Sequence, residues 1–369
     1  MSGWSGPAVF QNTGYRGFGC MGLLFDSIQQ VASAAQYAVP GAGSADMRLE
    51  AGTKTPHSPR SNNKWSDKAG IRPAKTAREV KMSFKTILVP VGSPEASKST
   101  LNAALLIAKR WNSHLEILHV RADPRGLVPY TGEGMDGSMI EEIINVTERE
   151  GEDRATQTKA MFEAFCAEHS LKVSHKPSPD AGVTVSWREE AGREDEIVAL
   201  HGRLYDLIVV GRPVTDAPLP SPITLEAALH DTGRPILVAP PQAPSDTGAH
   251  IAIAWEASPE AARTIAVSIQ ALTEAEKVTI LAPKLPQPLP LEPADLVARL
   301  LWHGVNADIH EFDTQASDLG AAFLAHSTAV GADMLVKGAY SQSRLRQMVL
   351  GGRTRHILNH TTVPTLLAK

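Results

Sequence analysis

The sequence predicts an α/β fold, a parallel sheet covered by helices on both faces, built twice in one chain. Two observations carry this. Short unbroken runs of Ile, Val and Leu alternate with longer stretches of helical period, the pattern of strands buried on both faces and joined by crossover helices. The second observation is internal repetition. Ser93-Pro94-Glu95-Ala96 recurs as Ser258-Pro259-Glu260-Ala261, an offset of 165 residues. Asp206–Gly211 (DLIVVG) recurs as Asp333–Gly338 (DMLVKG) at an offset of 127, and Pro235 as Pro364 at 129. Both ends of the unit register, so the chain is a tandem duplication. The mismatch of offsets assigns the first copy about 38 extra residues in its middle, around Asp123 to Lys159.

In the first copy, KTILVPV (residues 85–91) is a buried strand ended by Gly92. Ser93, Pro94 and Glu95 then supply an N-cap, an N1 proline and an acidic first turn, opening a helix to about Trp111. HLEILHV is the next strand, and a Gly-rich loop leads to a helical period over Ile140 to Glu168. GVTVSWRE is a strand, Asp195 to Gly202 a short helix, DLIVVGRP a strand, Thr224 to His230 a helix and RPILVAP the last strand. The Pro-rich polar stretch Pro240 to His250 is a linker. HIAIAWEASPEAARTIAVSIQAL then restarts the unit.

A chain of 369 residues fits two such domains, and 43% apolar residues with 5% aromatic suits an aliphatic core. The net charge of −4 excludes a general pull toward nucleic acid or anionic membrane. No apolar run approaches the roughly 18 residues of a spanning helix. Cys20 and Cys166 lie far apart in no metal or redox spacing, which fits a reducing, cytoplasmic compartment.

The first 81 residues read differently. They are rich in Gly, Ser, Asn and Pro, show no sustained period, and carry ten Lys/Arg against five Asp/Glu. Such composition buries too little apolar surface to offset its ordering entropy. Met82 then begins MSFKTILVPV, a normal start for an α/β domain. Residues 1–81 are either an over-extended translation or disordered tail, or a targeting or partner-binding arm. Residues 82–241 and 249–369 are the two domains.

In the order of these parts the chain resembles a tandem universal stress protein, over roughly Met82 to Lys369. The most specific stretch is the last, VKGAYSQSRLRQMVLGGRTRHILNHTTVPTLL (residues 336–367). The family's nucleotide signature is Gly, two residues, Gly, nine residues, Gly, then Ser or Thr. Here two residues separate Gly338 from Ser341, and nine separate Ser341 from Gly351 and Gly352. The spacing is kept; the second glycine is serine and the final hydroxyl residue is glycine. The resemblance implies two Rossmann-like domains of the adenine nucleotide alpha hydrolase type, each a five-stranded parallel sheet, usually paired. It also implies an adenine nucleotide such as ATP as ligand in some members, and an Asp after the first strand contacting it. Glu256, beside Ala257, stands at that place here.

Phosphate oxygens need converging backbone N–H groups and a helix N-terminus, and glycine permits the close approach. Gly338, Ser341, Gly351 and Gly352 meet that need in the second copy, with Arg344, Arg346, Arg353 and Arg355 nearby. The expected nucleotide-binding set is Glu256, Ala257, Gly338, Ser341, Gly351, Gly352 and Arg353. In the first copy Pro213, Pro218, Pro220 and Pro222 lack backbone donors, and Val91 runs straight into Gly92-Ser93 with no acid. That copy is expected to be a scaffold without a phosphate cradle.

Other constellations are weak. His119 at a strand end reads as structural, and His356 and His360, spaced four apart, lack a third metal ligand. Trp255 reads as core. No Walker lysine, HExxH or GxSxG occurs, nor a catalytic loop of the ATP pyrophosphatase kind. The reading is a stress-response binding or regulatory module with any nucleotide in its second half. The two domains pack through their last strands, and a homodimer stays open. The alternatives are a nucleotide-free scaffold acting by protein contacts, or a slow ATPase or nucleotidyl-transfer enzyme. The last needs a metal-binding carboxylate for which Glu256 and Asp333 are the candidates, Asp333 at the wrong end of the sheet.

Overall fold

In a computed structural model, residues 84–123, 137–176, 182–214, 220–285, 289–315, 317, 319–339 and 352–369 are described. The N-terminal segment of residues 1–81, Ser341, Arg344, Arg346 and Gly351 lie outside them.

Each half grows outward from its first strand. In the first half, β1 (Thr86–Pro90) carries Ile87, Leu88 and Val89 with no exposed surface. A Leu or Ile side chain so buried contributes about 1.5–3 kcal/mol. α1 (Pro94–Trp111) follows, its N-cap Ser93 accepting from the Ala96 N–H and its end turned by Asn112 at φ 50°. Then come β2 (His114–Arg121), α2 (Gly137–Glu168), β3 (Lys172–Val173) and β4 (Thr184–Ala191). α3 (Glu194–His201), β5 (Leu207–Gly211), α4 (Pro222–Asp231) and β6 (Ile236–Ala239) complete the half.

The second half repeats the plan with β7 (His250–Ala254), α5 (Pro259–Glu274), β8 (Lys277–Lys284), α6 (Pro293–Leu301) and β9 (Ala307–Asp313). It closes with α7 (Leu319–Ala329), β10 (Met334–Gly338), α8 (Arg353–His360) and β11 (Thr365–Ala368). Ser258 caps α5 through the Ala261 N–H, as Ser93 caps α1.

All strands form one 11-stranded sheet in the order β3-β4-β2-β1-β5-β6-β11-β10-β7-β8-β9. Neighbours are parallel except at the centre, where β6 and β11 pair antiparallel, Leu237 opposite Leu366. Each half thereby covers the other's open edge, which a free strand would expose. The second half has the five strands expected. The first has a sixth, the short edge strand β3, hydrogen-bonded to the start of β4. It arises because the chain runs along the sheet edge after the long α2 before it turns back.

α2 accounts for part of the inserted length. It spans 32 residues, yet its first buried side chain is Ala155, followed by Thr158, Phe162, Phe165 and Cys166. The N-terminal half therefore extends beyond the core it packs on.

The aspartates that open DLIVVG and DMLVKG are structural clamps. Asp206 accepts hydrogen bonds from the Lys85 and Thr86 N–H groups at 2.9 Å and from the Thr86 hydroxyl at 3.0 Å. Asp333 does the same for Gly248, Ala249 and His250, at 2.5, 3.0 and 2.9 Å. Each ties the entry of the first strand to the entry of its neighbour, at the end of the sheet away from the candidate site. A charged acceptor serving three donors contributes more than a neutral bond. Asp333→Ala is expected to cost about 2–3 kcal/mol, read as a lower urea midpoint, with no effect on ligand binding.

Candidate functional site

In open α/β sheets, ligands bind outside the carboxyl ends of the strands. In the second half that region is formed by the ends of β7 and β10, which pair directly, Ala254 opposite Lys337. The expected acid, Glu256, sits there and is already engaged. Lys337 Nζ lies 2.6 Å from its Oε2 and also donates to the Gly338 carbonyl at 3.0 Å. The two side chains are 2% and 6% exposed, so this is a buried ion pair.

Sequence reasoning passed over Lys337, although a signal existed. Strand register aligns Lys337 with Val210, and Trp255, the residue before Glu256, with Val91. Both valines are buried, at 4% and 2% exposure. A lysine at a position that is apolar in the other copy was the sign that a carboxylate must lie beside it.

Ala257 holds a left-handed backbone, φ 51°, where its counterpart in the repeat is Gly92. Such a conformation strains an alanine by roughly 1–2 kcal/mol. Gly338 ends β10 against the first turn of α5. A Cβ there would lie 2.6 Å from Glu260 C and 2.8 Å from Ala261 Cα. Gly352 is the N-cap of α8, with φ −71° and no side-chain cap, and Arg353 is the first residue of that helix. Of the expected set, Glu256, Ala257 and Gly338 come together at the paired strand ends, and Gly352 and Arg353 open the helix before β11.

The first half carries a concavity of its own. A cavity of about 630 Å³ lies between the first turns of α1, Gly211 at the end of β5, and Pro240-Pro241 after β6. Arg154 of α2 and Arg212 border it. Val214 and Pro220 border this space in the first half, while in the second half Gly338 presses on helix backbone. At Gly211 an added Cβ would meet only side chains, Pro220 Cγ at 2.5 Å and Thr100 Oγ1 at 2.7 Å.

His119, at the end of β2, is 2% exposed. Its Nδ1 lies 2.9 Å from the Val91 carbonyl, so that nitrogen carries the proton and donates. The ring stacks on Trp187 at 5.9 Å. Burial pushes its pKa down, and the neutral ring is a structural brace between β1 and β2. Trp255 is 5% exposed and donates to the Leu291 carbonyl, which is core packing. His356 and His360 stack with centroids 4.2 Å apart, and His360 Nδ1 donates to the His356 carbonyl. Among the described residues no group of three or more His, Cys, Asp or Glu is placed to hold a metal, and no described helix is long and apolar enough to cross a membrane.

No family model and no curated protein matches the chain. Solved structures do. A universal stress protein from Archaeoglobus fulgidus superposes with a TM-score of 0.56 at 16% identity, over 78% of this chain and 98% of that one. One from Pseudomonas aeruginosa, described as a putative universal stress protein, gives 0.46 at 17%, over 78% and 94%. A universal stress protein in complex with cAMP aligns over 32% of this chain and 96% of its own with a TM-score of 0.25 and 18% identity, too low to carry a site across. The fold is that of the universal stress proteins.

Proposed function

We propose that the chain is a binding or regulatory module of the universal stress type, working in the cytoplasm, with an adenine nucleotide as the ligand of its second half. The reading is carried by one observation: the glycine spacing from Gly338 to Gly352 starts at a strand end and finishes at the N-cap of α8. A helix N-terminus with a glycine cap offers unbonded N–H groups to a phosphate. Glu256 and Ala257 border the same strand ends.

A second reading is favoured by Lys337. Its ammonium already neutralises Glu256, so the carboxylate has less charge left to offer a ligand hydroxyl. On that reading the second half is nucleotide-free and the protein acts through protein contacts.

Mass spectrometry of small molecules released from the denatured protein separates the two, together with calorimetric titration of ATP. The nucleotide reading expects ATP or AMP in the released fraction. It also expects at least tenfold weaker ATP binding in Gly352→Val with an unchanged melting temperature. An empty released fraction and no ATP heat for the parent protein would establish the scaffold reading.

A further inference from the structure

We propose that the first half binds a small amphipathic organic monoanion, a carboxylate with an apolar body, in the cavity between α1, Gly211 and the Pro240-Pro241 turn. This site is separate from the nucleotide reading of the second half and does not depend on it.

Size fits first. At about 630 Å³ the cavity is within the range of sites that enclose small organic ligands, roughly 300–1,000 Å³. Its walls are largely apolar, with the rings of Pro220, Pro240 and Pro241, the side chain of Val214 and the methyl of Ala96. Such walls favour a hydrocarbon or aromatic body over a polar one.

Charge then selects the head group. Arg154 and Arg212 border the cavity against one acid, Glu95, among its described lining. Arg212 Nη1 donates to the Asn359 carbonyl of α8, while its Nε is buried without a hydrogen-bond partner. Arg154 and the partly buried Arg212 both line the cavity, and a carboxylate accepts from planar guanidinium N–H groups such as theirs.

The same lining is poorly made for a nucleotide triphosphate. Two donors at the start of α1 are already committed, the Ala96 N–H to Ser93 Oγ and the Ser97 N–H to the Ser93 carbonyl. Pro213, Pro220 and Pro222 supply no N–H. Among the described lining residues, two guanidinium groups less one carboxylate balance a single negative charge, not the several of a triphosphate.

Among the described residues, the second half has no counterpart to Arg154 on a long second helix. Arg154 comes from α2, on the inserted length just before its first buried residue, whereas α6 at the matching place spans only nine residues. The insertion therefore supplies the second cation, and the duplicated halves have diverged in what they recognise.

The test is calorimetric titration of octanoate and of octanol into the full chain, repeated with Arg154→Gln, Arg212→Gln and Ala96→Phe. The expected result is saturable octanoate binding at one per chain, with octanol at least tenfold weaker. Each arginine variant should weaken octanoate about tenfold, the loss of one charge-assisted contact. Ala96→Phe should abolish binding, and ATP should not displace octanoate. Arg212→Gln also loses the bond to Asn359, so if it melts early the exposed Arg154 decides alone. Absence of saturable octanoate binding overturns the proposal. So does equal affinity for octanol, parental affinity in Arg154→Gln, or displacement by ATP.

Discussion

Lys337→Met is expected to destabilise the protein by about 3–5 kcal/mol, because it leaves Glu256 buried without its counter-ion. Glu256→Leu should cost a similar amount for the converse reason. The double variant is expected within about 1 kcal/mol of the parent, since a buried ion pair repays little more than its desolvation. The first half supports half of this expectation: Val210, the counterpart of Lys337, is a buried apolar residue at the end of β5. Urea unfolding followed by far-ultraviolet circular dichroism measures this. A Lys337→Met cost below about 1 kcal/mol would mean that water reaches the pair and screens it. The cycle also bears on function. If the nucleotide-free reading holds, the double variant behaves as the parent does toward ATP.

The duplication explains why so much of the fold was legible. Buried parallel strands are uninterrupted apolar runs, and the Ser-Pro-Glu-Ala caps appear twice, so elements and register followed from local chemistry and the repeat. The inserted helix was legible from the offsets alone. The edge strand β3 was not, because Lys172 and Val173 are two exposed residues with no period to detect. The site was legible only in outline. Glu256 could be placed by position, but its partner Lys337 looked like one more residue in an apolar strand. A lysine in a run of Met334, Leu335 and Val336 was the available sign, since an ammonium there must find a carboxylate. The cavity of the first half was hidden for a different reason. The prolines that exclude a phosphate cradle say nothing about open volume, and Arg154 reaches the cavity from a helix far away in sequence.

Gly338→Ala is expected to cost about 3 kcal/mol or more, a larger effect than the same change at Gly211. At Gly338 the new methyl would sit against the backbone of Glu260 and Ala261, in the capped first turn of α5, which cannot move without breaking the Ser258 cap. At Gly211 the obstacles are the Pro220 ring and the Thr100 hydroxyl, which can shift, so about 1 kcal/mol is expected there. Thermal melting of the two variants side by side checks the difference, and equal losses would refute the backbone argument. The consequence reaches the nucleotide question. Gly338 is required by the packing of β10 on α5 whether or not a phosphate is bound, so its presence alone is weak evidence for a ligand. Gly352 is different: a Cβ there meets nothing within 4 Å, and its φ of −71° suits any residue. Its substitution leaves the fold intact, so the ATP affinity of Gly352→Val reports on the loop's chemistry without a stability change to confound it.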